Sequence, residues 1–379
     1  MAESSINNDK KKALEFFESY GSQTEDRKLD HLKICLERDV QGKRTTGLED
    51  VFLVHQALPE IDFDDIILET ELFGKNLQAP IICASMTGGH KATAELNRRL
   101  GVVMEKYQLG IGLGSQRAAI EDPTLIPTYS IVREVAPTTL VLGNLGAVQI
   151  NANNYGLKQA EKCVEMIKAD ALCMHINPLQ EAIQAEGDRN FKDLLPKLTE
   201  FNKELSVPII VKEVGSGISG ELAKKLELAK IEAIDVGGVG GTTWAGVEAE
   251  RNRDSGAILY QNLGELFWNW GISTSASIVE TRANFSNKII ATGGIRTGLD
   301  IAKSIALGAN VGSLATPFLQ AAAIGIETLE AMVEKLILEL KTVMFVVGAK
   351  TIDELRTVPV VVSGITKDWL QQRGYHPFV

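Results

Sequence analysis

The chain has 379 residues, 45% of them hydrophobic and 23% charged, which supplies a large core and excludes a chain disordered by composition. A formal net charge of −10 excludes general binding to nucleic acid, yet a few local cations and backbone amides can still hold a small anion. Cys35, Cys83, Cys163 and Cys173 form no CxxC pair and no zinc-like spacing, so they read as reduced, buried fillers.

At the N-terminus, MAESSINNDKKK carries charge with no apolar stretch behind it, and later apolar runs are too short or interrupted to span a bilayer. A cytoplasmic protein is expected. Residues 9–20 have helical patterning, and Gly21–Asp26 breaks it with a polar, mobile stretch leading into RKLDH, Arg27–His31. Between Val51 and Gln78 the runs are β-rich; IILETELFG alternates apolar and acidic residues and predicts a strand with one wet face, part of an N-terminal hairpin.

From Pro80 onward, short apolar runs alternate with amphipathic stretches of helix length. The runs are PIICAS, LGIGLG, TLVLGN, ALCMHI, PIIVKE, IEAIDV, KIIATG and NVGSLA, eight in all. Parallel strands covered on both faces read as such unbroken apolar segments, and eight of them predict an α/β (β/α)8 TIM barrel with an N-terminal extension and β-hairpin. A doubly wound sheet is the alternative, with fewer strands and one glycine-rich turn; here glycines recur after several strands. Residues 1–50 are read as an N-terminal helical and flexible segment, and 51–379 as the barrel with its hairpin and C-terminal helices.

Polar residues collect directly after the runs, as MTGGH, GSQR, GNLGA, HINPLQE, KEVGSG, GGVGGTTW, GGIRTG and ATP. All eight strand ends of a barrel open on one rim, so the chemistry is expected there. Gly293 and Gly294 permit close backbone approach, Arg296 offers a cationic fork, and Ala315 with Thr316 opens toward a helix N-terminus. Together they form a phosphate cradle after strands seven and eight. Lys212 ends an otherwise apolar strand, where burial demands a partner or a role; it suits the negative charge of a reduced flavin ring, with backbone contacts from Met86–Gly88. An ordinary ion pair with Glu213 or another acid is the plainer alternative.

Taken in order, RKLDH, MTGGH, GSQR, GNLGA, HINPLQE, VKEVGSGIS, GGVGGTTWA and GGIRTG resemble the type 2 isopentenyl diphosphate isomerases, FMN-dependent barrel enzymes, from about Arg27 to Phe318. The resemblance implies FMN bound by Met86, Thr87, Gly88, Ser115, Asn144, Lys212, Thr242, Gly294, Ile295, Arg296, Ala315 and Thr316. It also implies substrate contacts from Arg27, Lys28, His31, Ser115, Gln116, Arg117, Asn177, Gln180 and Trp244. Gln180 and His175 fall at the catalytic positions, and Glu181 at that of a magnesium ligand. The family usually has a serine where this chain has Gly237, so one side-chain contact to the flavin is expected to be missing. The RKLDH segment is expected to order over bound substrate and exclude water.

What the resemblance implies chemically is an allylic proton shift between isopentenyl and dimethylallyl diphosphate, with reduced FMN as acid-base agent, magnesium on the diphosphate, and NAD(P)H as reductant. Gln180 does not titrate near neutrality and is assigned to positioning or relay. Family members usually form tetramers or octamers, so a homo-oligomer is expected. An FMN-dependent dehydrogenase or oxidase of a small hydroxy acid shares the cradle and Lys212, and a non-catalytic flavin sensor stands as a third reading.

Overall fold

The computed structural model describes residues 12–13, 15–16 and 27–375, with the side chains of residues 27–30 outside that description. Its strands are β1 Val51–Leu53, β2 Thr70–Leu72, β3 Lys75–Leu77, β4 Ile81–Cys83, β5 Gly110–Gly112, β6 Val141–Gly146, β7 Ala171–Ile176, β8 Ile209–Glu213, β9 Ala233–Asp235, β10 Lys288–Ala291, β11 Val311–Leu314 and β12 Val360–Val362. Strands β4 to β11 close into a parallel barrel in which β11 returns to β4. They are the eight apolar runs expected from the sequence. Six of them are buried along their whole length, as strands walled by helices must be.

A closed barrel has a base and a mouth, and this one is corked at the base. Strands β2 and β3 form an antiparallel hairpin around Phe73 and Gly74, both at positive φ (52° and 76°), the pairing of conformations that a two-residue hairpin turn requires. Leu72 and Leu77 are fully buried there, packed with Ile82, Leu140, Leu142, Cys173, Ile210 and Val311 of the barrel interior. The hairpin is therefore present but shorter than expected. Ile66–Glu69 does not join a strand: Ile66 and Leu68 are buried as irregular backbone, and Ile67 N–H donates to Lys350 O at 2.9 Å.

Strand β1 pairs antiparallel with β12, joining the segment before the barrel to the one after it. Before β1, the helix Arg27–Glu37 and the segment 38–47 lie against the mouth, where Val40 is fully buried beside Ile34 and Val247. None of the described helices is long and apolar enough to cross a membrane.

Candidate active site

At the mouth, the ends of all eight barrel strands enclose a cavity of about 300 Å³, within the size range of small-ligand sites. On one side two glycine turns press together. Gly293 and Gly294 have φ of 105° and 74°, and a Cβ on Gly294 would stand 2.2 Å from Gly240 O. Only glycine allows that approach, so backbone amides line this wall in place of side chains. Thr316 opens the helix Thr316–Ile324, and its Oγ1 lies 3.1 Å from Thr242 Oγ1. Arg296 flanks the same turns, completing a cradle whose amides, hydroxyls and guanidinium suit a phosphate.

Next to the cradle, strand register sets a row of polar side chains. His175 pairs with Lys212 across β7 and β8, and Lys212 with Asp235 across β8 and β9. Because side chains alternate, a one-residue slip would turn the whole row outward. Lys212 Nζ stands 2.9 Å from Asp235 Oδ2, both groups buried. Asp235 also accepts from the Thr292 hydroxyl and from Gly237 N–H. Lys212's partner is thus Asp235 and not Glu213, whose Oε2 accepts the amides of Gly215, Ser216 and Gly217. Burial nevertheless pushes Glu213 up to about 7, against the pull of those amides.

Asn144 decides the tautomer of His175. Its Nδ2 donates to Leu113 O at 3.0 Å, which leaves Oδ1 to accept, 2.8 Å from His175 Nδ1. The network therefore assigns the ring proton to Nδ1 and a lone pair to Nε2. Burial, then the Lys212 charge, lowers the His175 pKa from 6.5 to about 4. Between those values the unfolded chain binds the extra proton, so this group's contribution to stability rises with pH through that window and is lost as pH falls toward 4. Nitrogen-15 shifts of His175 are expected to report a neutral ring, protonated on Nδ1, from pH 8 down to pH 5. An imidazolium signature at pH 6 would contradict the assignment.

Opposite the cradle, the helix Pro178–Ile183 follows β7 and carries a second polar cluster. Asn177 Nδ2 donates to Gln180 Oε1 at 3.0 Å and to Glu181 Oε1 at 2.9 Å, while Glu181 Oε2 accepts from Asp188 N–H at 2.7 Å. Asn177 Oδ1 is buried without a hydrogen-bond partner. Gln180 Nε2 donates to Glu248 Oε1 at 3.0 Å and Gln184 Nε2 to the same atom at 2.5 Å, so the Gln180 amide is held at both ends. Glu248 is fully buried on the helix Trp244–Ser255; burial alone would raise its carboxyl, but His31, Gln180 and Gln184 together hold it at about 2. His31 Nε2 lies 3.1 Å from Glu248 Oε1, out of hydrogen-bonding alignment, and its ring meets Trp244 edge-on at 5.2 Å. Arg117 faces Glu121 at 2.8 Å and Asp188 at 3.5 Å.

The cavity wall thus brings together Met86, Thr87, Gly88, Ser115, Asn144, Lys212, Thr242, Gly294, Ile295, Arg296, Ala315 and Thr316 with His31, Arg117, His175, Asn177, Gln180, Glu181 and Trp244. Gln116, also expected to contact substrate, does not line this wall. Its side chain is fully buried behind the wall, donating to Cys163 O at 2.8 Å and accepting from Asn144 N–H at 3.0 Å. The side chains of Arg27 and Lys28, and the Gly21–Asp26 stretch, lie outside the described residues. At Gly237 φ is 46° and a Cβ would stand 2.1 Å from Glu213 O, so this backbone leaves no room for the serine of the family pattern. Sequence reasoning missed Gln149 and Gln184 on the cavity wall, and Glu248 and Asp235, which hold Gln180 and Lys212 from behind it. A charge within the small, apolar surroundings of WAGVEAE was the available signal for Glu248.

Residues 158–361 match the model of the FMN-dependent dehydrogenase family. The isopentenyl-diphosphate delta-isomerase of Methanosarcina barkeri is 49% identical over 94% of this chain and 96% of its own length. The chain belongs to the FMN-dependent, type 2 isopentenyl-diphosphate delta-isomerase family. The Archaeoglobus fulgidus member is likewise 49% identical, over 93% of this chain and 99% of its own. A solved mandelate oxidase variant with (S)-mandelic acid aligns with a TM-score of 0.62 over 95% of this chain and 99% of its own at 15% identity, a likeness of fold alone.

Proposed function

We propose that this FMN-dependent isomerase interconverts isopentenyl diphosphate and dimethylallyl diphosphate by an allylic 1,3-proton shift, with magnesium on the diphosphate and NAD(P)H as the reductant of the flavin. One observation carries the reading: the glycine–arginine cradle, Lys212 and the Asn177–Gln180–Glu181 cluster open on a single cavity. The residues fit FMN. Turns that exclude any Cβ suit its phosphate, and Lys212 suits the anionic edge of a reduced ring. When bound in reduced form, FMN supplies the proton donor and acceptor for the carbon centres.

The chain's own groups then have separate tasks. Burial and the Lys212 charge hold His175 neutral, and Asn144 fixes the ring proton on Nδ1, which leaves Nε2 available to accept from a ligand. Glu248, ionised and buried, fixes the Gln180 amide so that it positions the prenyl chain without itself titrating. Trp244 packs over that chain and excludes water. Among the described residues no three His, Cys, Asp or Glu side chains converge on a metal site. Magnesium commonly takes one or two carboxylates and completes its shell with substrate phosphate and water, so Glu181 suffices as the protein ligand. Arg27, Lys28, His31, Ser115, Gln116 and Arg117 are assigned to the diphosphate, with His31, Ser115 and Arg117 directly on the cavity wall and Gln116 behind it.

A cytoplasmic homo-oligomer, tetramer or octamer, completes the proposal; the exposed Ile258, Leu259, Leu266 and Trp270 supply apolar surface for self-association. Purified protein given FMN, magnesium, NAD(P)H and isopentenyl diphosphate is expected to form dimethylallyl diphosphate with no net oxidation of substrate. It should stay inactive while the flavin is oxidised. Turnover with oxidised FMN alone, or net oxidation of a hydroxy acid in its place, would defeat the reading.

A further inference from the structure

After the helix Arg27–Glu37 the chain crosses the mouth directly over the phosphate cradle. Gly42 N–H donates to Gly241 O at 2.8 Å and Thr243 N–H to Val40 O at 2.9 Å, so Gln41 and Thr242 face each other in an isolated antiparallel bridge. Trp268 Nε1 adds a bond to Gln41 O at 2.9 Å, which fixes the backbone from the other side. From this position the Gln41 side chain reaches two parts of the cradle at once. Its Nε2 donates to Thr242 Oγ1 at 3.2 Å, and its Oε1 accepts from an Arg296 terminal nitrogen at 3.0 Å. Thr242 in turn touches Thr316 at the helix N-terminus.

A guanidinium presents five N–H donors in one rigid plane. Holding one of them with a neutral amide sets the plane's direction while leaving other donors for an anion, and the amide adds no charge that would repel one. We propose that Gln41 is a positioning residue for the flavin phosphate, presetting Arg296 and Thr242 before the cofactor arrives. The proposal rests on the FMN reading of the site. It also gives the crossing segment a second consequence: Arg38, three residues before Gln41, pairs with Glu250 and Asp254 at 2.7 Å, so the substrate-side helix and the cradle share one short tether.

Riboflavin separates the phosphate from the ring, because it carries the same isoalloxazine without the phosphate. Dissociation constants for oxidised FMN and riboflavin are measured by quenching of flavin fluorescence. Gln41→Ala is expected to weaken FMN about tenfold, the loss of one charge-assisted contact, and to leave riboflavin unchanged. Gln41→Glu places a carboxylate beside the phosphate and is expected to weaken FMN further, again sparing riboflavin. Gln41 is exposed, so both variants should melt with the wild type. Retention of the wild-type FMN-to-riboflavin preference in both variants, or equal weakening of the two ligands, overturns the proposal. A wild-type protein that does not prefer FMN to riboflavin removes the cofactor reading and this inference together.

Discussion

Glu181→Gln is expected to lower turnover by about a thousandfold while leaving the absorbance spectrum of the bound flavin unchanged. Loss of a Lewis acid that neutralises a diphosphate removes several kcal/mol of binding and orientation. The flavin should be indifferent because Glu181 stands on the helix after β7, in the cluster opposite the phosphate cradle. Its two oxygens accept from Asn177 and from the Asp188 amide, which aims the remaining lone pairs and keeps the carboxylate from turning. Turnover measured across a magnesium titration is the decisive reading. Wild-type enzyme should rise to a plateau, whereas the variant should stay flat; a variant with the wild-type curve would end the metal assignment.

Lys212→Ala should act twice. Removing the lysine leaves Asp235 buried without its cation, and breaking a buried ion pair from one side costs roughly 3–5 kcal/mol. The same change deletes the positive charge proposed to face the flavin ring, so affinity for reduced FMN should fall more than affinity for oxidised FMN. Lys212→Ala combined with Asp235→Asn separates the two effects. The double variant should recover much of the melting temperature without recovering reduced flavin. If both redox states bind the single variant as they bind the wild type, Lys212 is a structural lysine and nothing more.

The barrel was legible because its strands are walled on both faces, which writes each of them as an unbroken apolar run; all eight runs became strands in the expected order. The hairpin was half legible. IILETELFG alternates as a strand does, but the alternation of Ile66 and Leu68 comes from one-sided packing of irregular chain, and only Thr70–Leu77 pairs. On the rim, strand-end motifs located most of the cavity wall. The direction of the Gln116 side chain was not legible, because a motif gives spacing alone: at the entry to the helix Arg117–Glu121 it turns inward to Cys163. Gln41 and Glu248 lie outside every strand end and reach the site only through tertiary packing. Periodicity cannot register that, and a lone polar residue in a helix or loop carries no pattern of its own.

The seam between β1 and β12 ties residues 51–53 to residues 360–362, and Asp50 extends it by accepting the amides of Ser363 and Thr366. Contacts separated by some three hundred positions form late, after the intervening helices and strands are in place. The stretch carrying Gln41 and His31 likewise leaves the ribosome long before its partners at Gly241, Thr243 and Glu250, so it is anchored only once most of the barrel has been made. A truncation before Val360 would leave β1 without its partner strand and loosen the chain that follows that stretch.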